Sequence, residues 1–199
     1  MDSKEAMMQK VLVEEIPELR AYNATRDDLR RSIMALKARR RVFLGTFVTV
    51  VFENTDTVRW QITEMMRAER IDTDAGIATE VEQYNDLIPG DAQLSCTMFI
   101  ELTDDDSMRE WLPKLVGIHE AIEFRLPNGD VVRGYDPHAE RLTREEATAA
   151  VHFLKFDFTP EQIAAFRRGP VAIASVHPAY REETVLNLDQ HDALCADFD

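Results

Sequence analysis

The chain has 199 residues, with 23 Lys+Arg against 37 Asp+Glu and a formal net charge of -14. That length can bury a full core, and 45% hydrophobic content argues against global disorder. The surplus of acid disfavours nucleic acid or an anionic membrane as the main partner.

MDSKEAMMQK at the start lacks the apolar centre of a signal peptide, and the longest apolar run, Val42 to Phe52, is too short to span a bilayer. A cytoplasmic protein is expected. Cys96 and Cys195 belong to no CxxC or Cys/His ligand pattern, so neither a disulfide framework nor a structural zinc site is indicated. No repeat, low-complexity tract or linker divides the chain. Residues 1–24 read as an N-terminal extension, which carries a short helix near residues 4–12, and residues 25–199 read as one domain.

Thr25 with Asp28 three residues on resembles a helix start, and Leu29, Ile33 and Leu36 give its apolar stripe to about Arg40. Lys37, Arg39, Arg40 and Arg41 close it, where positive charge complements the helix dipole. Val42 to Phe52 reads as one strand, apolar on both faces and therefore central or covered by helices. Residues 58–62 alternate like a strand, but the helix formers from Gln61 to Arg70 favour a helix. Thr73 opens another, Leu94 to Leu102 is a strand, and Thr103 begins a helix that Pro113 stops. Ile122, Phe124 and Leu126, the Asn128-Gly129 turn and Val131 to Arg133 make a hairpin. Residues 135–142 read as polar loop, Thr143 to Glu146 as a capping box, and Val151 to Phe158 as a strand. Thr159, Pro160, Gln162 and Gly169-Pro170 delimit the best-marked helix, Val171 to Val176 is a strand, and Asp189 caps a last helix. The set predicts an α+β fold: a single domain with a mixed or mainly antiparallel sheet covered by helices.

Three places could carry chemistry. Val58, Ile62, Met65 and Glu69 share a helical stripe, which puts a carboxylate, with Arg70 beside it, on a core-facing position. Such a group needs a cation, a metal or a proton, unless the helix frays and Glu69 reaches solvent or an arginine. His152 shares a face with Leu154, Phe156 and Phe158, which reads as a half-buried core histidine. His177, Tyr180 and Arg181 follow a strand, where a loop could bind an anion or, through His177, a metal. The alternative is that Pro178 turns the chain and Tyr180 packs over the sheet edge. His152, His177 and Glu101 together would suit a non-haem iron site, although no HxH, HExxH or CxxC spacing supports it. GxGxxG, Walker-type and GxSxG patterns do not occur.

ALKARRRV (35–42), FENTDTV (52–58), EMMRAERI (64–71), YNDLIPG (84–90), FIEL (99–102), LVGI (115–118), AVHFLKF (150–156) and HPAYREE (177–183) resemble, in order, the uncharacterised bacterial family called domain of unknown function 3501. The resemblance implies a single-domain protein with no assigned activity and no catalytic residues to carry over. It also implies an association with rubrerythrin-like and iron–sulfur oxidoreductase systems. The expectation is therefore a non-catalytic accessory protein that binds a redox partner, such as an iron–sulfur oxidoreductase or a rubrerythrin-like protein, through its basic helix end or an exposed face. The rival expectation is a metal-binding enzyme or metal carrier using His152, His177 and a carboxylate.

Overall fold

A computed structural model describes residues 10–139 and 146–199. The elements along the chain are α1 (Leu19–Ala38), β1 (Arg41–Leu44), β2 (Val48–Phe52), α2 (Thr55–Glu69), α3 (Asp74–Asn85), β3 (Gln93–Ile100), α4 (Asp105–Lys114), β4 (Ile122–Arg125), β5 (Val131–Arg133), β6 (Val151–Asp157), α5 (Pro160–Arg168), β7 (Ala172–His177), β8 (Tyr180–Val185) and α6 (Leu188–Cys195). This is the expected α+β class, but the strands divide into two antiparallel sheets, in the orders β1-β2-β3-β6 and β5-β4-β7-β8.

The run Val42 to Phe52 is not one strand. Gly45 takes φ +73, a left-handed conformation that glycine adopts without penalty, and the chain folds back so that Arg41 pairs with Val51 and Leu44 with Val48. Periodicity cannot separate one long apolar strand from two short ones joined by a tight turn. The central position expected for the run holds for β2, which lies between β1 and β3 and is buried along its whole length.

The main core lies between the sheets. Val50 and Phe52 of β2, Cys96 and Met98 of β3, and Leu154 and Phe156 of β6 meet Ile122, Phe124 and Ile173 of the second sheet. Phe124 is its hub, with ring centroids 5.5 Å from Phe52, 4.9 Å from Phe156 and 5.6 Å from Phe166. The sheets also join at their edges. Tyr135 bridges to Lys155 of β6, and the Tyr180 hydroxyl donates to Leu44 O at 2.8 Å while receiving the Phe47 N–H at 3.2 Å. A second apolar cluster holds α2 and α3 together through Val58, Ile62, Met66, Val81 and Ile88, with Val11 and Ile16 packed into it.

Local chemistry sets most boundaries. Asn54 and Thr57 form a reciprocal cap on α2, Thr159 and Gln162 do the same on α5, and Thr73 caps α3. α1 starts at Leu19, six residues before the expected Thr25, with Leu19 itself packed against the second cluster. Asp104, rather than Thr103, caps α4 by accepting the Ser107 N–H, and Pro113 lies in its last turn. Asn187, not Asp189, caps α6. Residues 10–12 are not helical, and the rest of the expected 4–12 helix, like Thr143 to Glu145 of the capping box, lies outside the described residues.

Candidate functional site

The sequence-derived site residues do not form one site. Glu69 is exposed, because α2 ends there and Arg70, itself exposed, takes a left-handed cap at φ 55 with its N–H on Met66 O. The partly buried carboxylate of α2 is Glu64, which takes a two-pronged hydrogen bond from Arg26 (2.8 and 2.7 Å) and one from the Tyr22 hydroxyl. Arg26 holds the Glu64 carboxyl down to about 2, and burial followed by the Glu64 contact pushes the Tyr22 phenol up to about 12. This triad ties α1 to α2.

His152 is fully buried rather than half-buried. Its Nδ1 lies 3.3 Å from Asp136 Oδ2, and its Nε2 lies 2.8 Å from Thr148 Oγ1 and 3.1 Å from Ala149 O. His119 stacks on it, with centroids 5.1 Å apart and an interplanar angle of 11°. Burial first, then the neighbouring His152, lowers the His119 pKa, and its Nδ1 is buried without a partner among the described residues. Burial alone would raise the Asp136 carboxyl, but the hydrogen bonds from His152 and the His138 N–H outweigh it and the net shift is downward. Thr148, His152 and Asp136 thus form a hydroxyl–imidazole–carboxylate chain inside the protein, clamping the segment after the β4–β5 hairpin to β6 and to the residues just before it. The expected polar loop at 135–142 supplied its carboxylate: Asp136 is buried.

The expected functional loop at 177–181 is a two-residue hairpin turn, Pro178-Ala179, between β7 and β8. His177 Nε2 lies 3.1 Å from Val116 O, and its Nδ1 accepts the Ala179 N–H at 3.3 Å, so both ring nitrogens are engaged. Tyr180 packs over the sheet edge, whereas Arg181 is exposed. Glu101 follows the end of β3, accepting from Thr49 Oγ1 at 2.7 Å with Arg41 at 3.7 Å. Among the described residues, His152, His177 and Glu101 do not converge, and no three His, Cys, Asp or Glu side chains could hold a metal ion.

Two other regions have the geometry of a binding site. The first lies on the outer face of sheet one. Register places Arg41, Val51, Thr97 and Phe153 in one row across its four strands, with Phe99 and Val151 in the next. Val58 and Gln61 of α2, with Tyr84 and Leu87 close to the end of α3, roof this face and leave a cavity of about 180 Å³. Glu53 lines it, only 7% exposed, accepting hydroxyl hydrogens from Thr97 on Oε1 (2.7 Å) and Thr57 on Oε2 (2.6 Å). Lys37 and Arg41 supply its cations.

The second is a groove of about 340 Å³ between α1 and α2, lined by Leu29, Ile33, Leu36 and Trp60 among others. Of the twenty residues of α1, only Tyr22 is buried, and Leu29 and Met34 are 42% and 39% exposed. Arg20, Arg30 and Arg31, the last paired with Asp28, are exposed along the same helix, and Arg39 is exposed at its C-cap. Arg40, grouped with these cations in the sequence, is instead buried. It bonds the backbone oxygens of Phe52 and Glu53 and pairs with Asp197, whose pKa burial raises against the pull of Arg40.

Sequence reasoning missed Glu53, Asp136, His119 and Arg40. A glutamate after a strand looks like any turn residue, and the hydroxyls that hold Glu53 lie four and forty-four residues away. The available signal was that Arg40 and Glu53 flank the apolar run that folds into the β1–β2 hairpin.

The family described as Protein of unknown function (DUF3501) matches residues 10–198. A crystal structure of a novel protein of unknown function from Burkholderia pseudomallei K96243 is similar over 96% of this chain and 100% of its own, at 31% identity and a TM-score of 0.88. No curated protein matches. Among the described residues no helix is long and apolar enough to cross a membrane.

Proposed function

The chain belongs to the DUF3501 family of proteins of unknown function, and from that premise we propose that it is a non-catalytic accessory protein that docks an acidic helix of a partner protein along α1. The observation that carries this reading is the under-covered state of α1. Twenty residues bury one side chain against the rest of the chain, and the neighbouring groove is apolar. An amphipathic helix laid in such a groove would cover Leu29, Ile33 and Trp60. The Trp60 Nε1–H, buried without a partner among the described residues, adds an unpaired donor at this wall.

Charge selects the occupant. On a protein of net charge -14, a helix presenting Arg20 and Arg30, with Arg39 at its end and Arg31 paired to Asp28, remains a local reversal of sign, which orients an acidic partner and speeds its encounter. The redox character of that partner rests on the family resemblance, so an iron–sulfur oxidoreductase or a rubrerythrin-like protein is the first to be offered. The metal-carrier reading has less support, because the ring nitrogens of His152 and His177 are already engaged.

The test is a titration of the full chain with each of these purified proteins at two salt concentrations. Binding weakened by salt, and reduced about tenfold or more by Leu29→Asp and by Arg30→Glu (about 1.4 kcal/mol), supports the reading. Binding that ignores both substitutions overturns it. So would a concentration-dependent dimer lost in Leu29→Asp, which would make a second copy the occupant, or preferential binding of nucleic acid.

A further inference from the structure

We infer that the cavity over the outer face of the first sheet is a binding site for a small ω-amino acid, with an ammonium group at one end, a carboxylate at the other and methylenes between. This site borders the α1 groove only through Lys37, whose Nζ lies over Trp60, and the inference does not depend on that groove's occupant.

The argument starts from Glu53. A carboxylate buried to 7% exposure in a cavity of about 180 Å³ must be compensated, and its near contacts are the two neutral hydroxyls of Thr57 and Thr97. These fix the orientation of the carboxylate, one hydroxyl to each oxygen, and leave each oxygen a further lone pair, while the nearby Arg40 guanidinium is taken up by the Glu53 backbone oxygen and by Asp197. An ammonium group at this point would add both hydrogen bonds and charge.

The cations of the cavity are not committed to Glu53. Arg41 has Glu101 at 3.7 Å, a loose, half-exposed pair, and Lys37 Nζ lies over the Trp60 ring at 5.1 Å from its centroid. Both are therefore available to an anionic group. Arg41 is on the edge strand opposite Val51, and Glu53 lies two residues beyond Val51, just past the end of β2. One strand spacing and two residue steps put the two backbone positions about 8 Å apart. The Arg41 guanidinium reaches toward Glu101, which bonds Thr49 on the far side of Val51 from Glu53, so a ligand that meets both needs its charged ends separated by several atoms.

The surface between the ends is apolar: Val51, Phe99, Val151 and Phe153 on the sheet, with Val58 and Leu87 above. It suits methylenes and rejects a second charge. A simple carboxylate would leave Glu53 as it is, and a simple amine would leave Arg41 and Lys37 unused.

The experiment is calorimetric titration of the full chain with unbranched ω-amino acids of three to eight carbons, alongside the monocarboxylates and monoamines of the same lengths. An optimum at one length is expected, with the matching monocarboxylate and monoamine at least tenfold weaker. Glu53→Gln should bring the amino acid and the monocarboxylate within about twofold of each other. The double substitution Lys37→Gln/Arg41→Gln should weaken the amino acid tenfold or more. Amide chemical-shift changes in the unsubstituted protein should centre on Val51, Thr97, Phe99 and Phe153, a readout that holds even if a variant folds poorly. The inference falls if no member of the series binds at millimolar concentration, if the shifts map elsewhere, or if the two variants bind as the parent does.

Discussion

The two faces of the first sheet differ in kind, though the same four strands make both. The inner face is packed to closure by Leu44, Val50, Phe52, Met98, Leu154 and Phe156 against the second sheet. The outer face carries Thr49, Glu53, Ser95 and Thr97, all buried, and leaves a cavity beneath α2 and α3. Alternation puts successive residues of a strand on opposite faces, so one short segment encodes both a core and a binding surface. On the inner face stability depends on filling space, and on the outer face it depends on satisfying polar groups.

Neighbouring residues of β6 should break this contrast first. Leu154→Ala, at a fully buried inner position, is expected to cost about 2–5 kcal/mol. Phe153→Ala removes a larger side chain but should cost less, about 1–2 kcal/mol, because Phe153 already borders empty volume. Urea unfolding of both variants checks the order, and equal losses would mean that the two faces are packed alike. Next, Thr97→Val keeps the shape and removes one donor to the buried Glu53, for an expected loss of about 1–2 kcal/mol. Thr97→Ser, which retains the hydroxyl, should restore most of it.

A smaller effect separates the polar group on the inner side. His119 has a folded pKa below its ordinary 6.5, so the unfolded chain takes up its proton first on acidification. Its neutral form contributes stability above about 6.5 that is lost as the pH falls through the folded value. Unfolding free energy should therefore decline between pH 7.5 and 5, and His119→Phe, which keeps a ring against His152, should flatten that slope. The Asp136 carboxyl, also lowered, adds a loss of the same sign in a more acidic window.

Much of the architecture could be read from local signals. The Asn128-Gly129 hairpin, the Thr159–Gln162 cap and the α2 helix over 58–69 depend on residues within one turn of each other, and the structure has them. Where the reading failed, the deciding interaction was distant. The β1–β2 hairpin hides in an apolar run because its outward residue Phe43 is apolar although 61% exposed, and Glu69 lost its core position because an αL residue ended the helix one step later. His152 was legible as a core histidine, but its partners were not. Asp136 and Thr148 lie sixteen and four residues before it, in stretches without periodicity. The cavity could not be read at all, since it arises from the space between a sheet and two helices.

The Tyr180 hydroxyl, set on the backbone of the β1–β2 turn, has a kinetic consequence. A turn at a sheet edge ordinarily frays on its own, and its amides exchange with solvent deuterium at local opening rates. Here the Phe47 amide gives its hydrogen to a phenol anchored in the other sheet, and that phenol gives its own to Leu44 O. Gly45 permits this close approach, since a Cβ there would come within 2.5 Å of the Tyr180 oxygen. Deuterium uptake at Phe47 should then be as slow as in the strands, and opening the turn should require parting the two sheets.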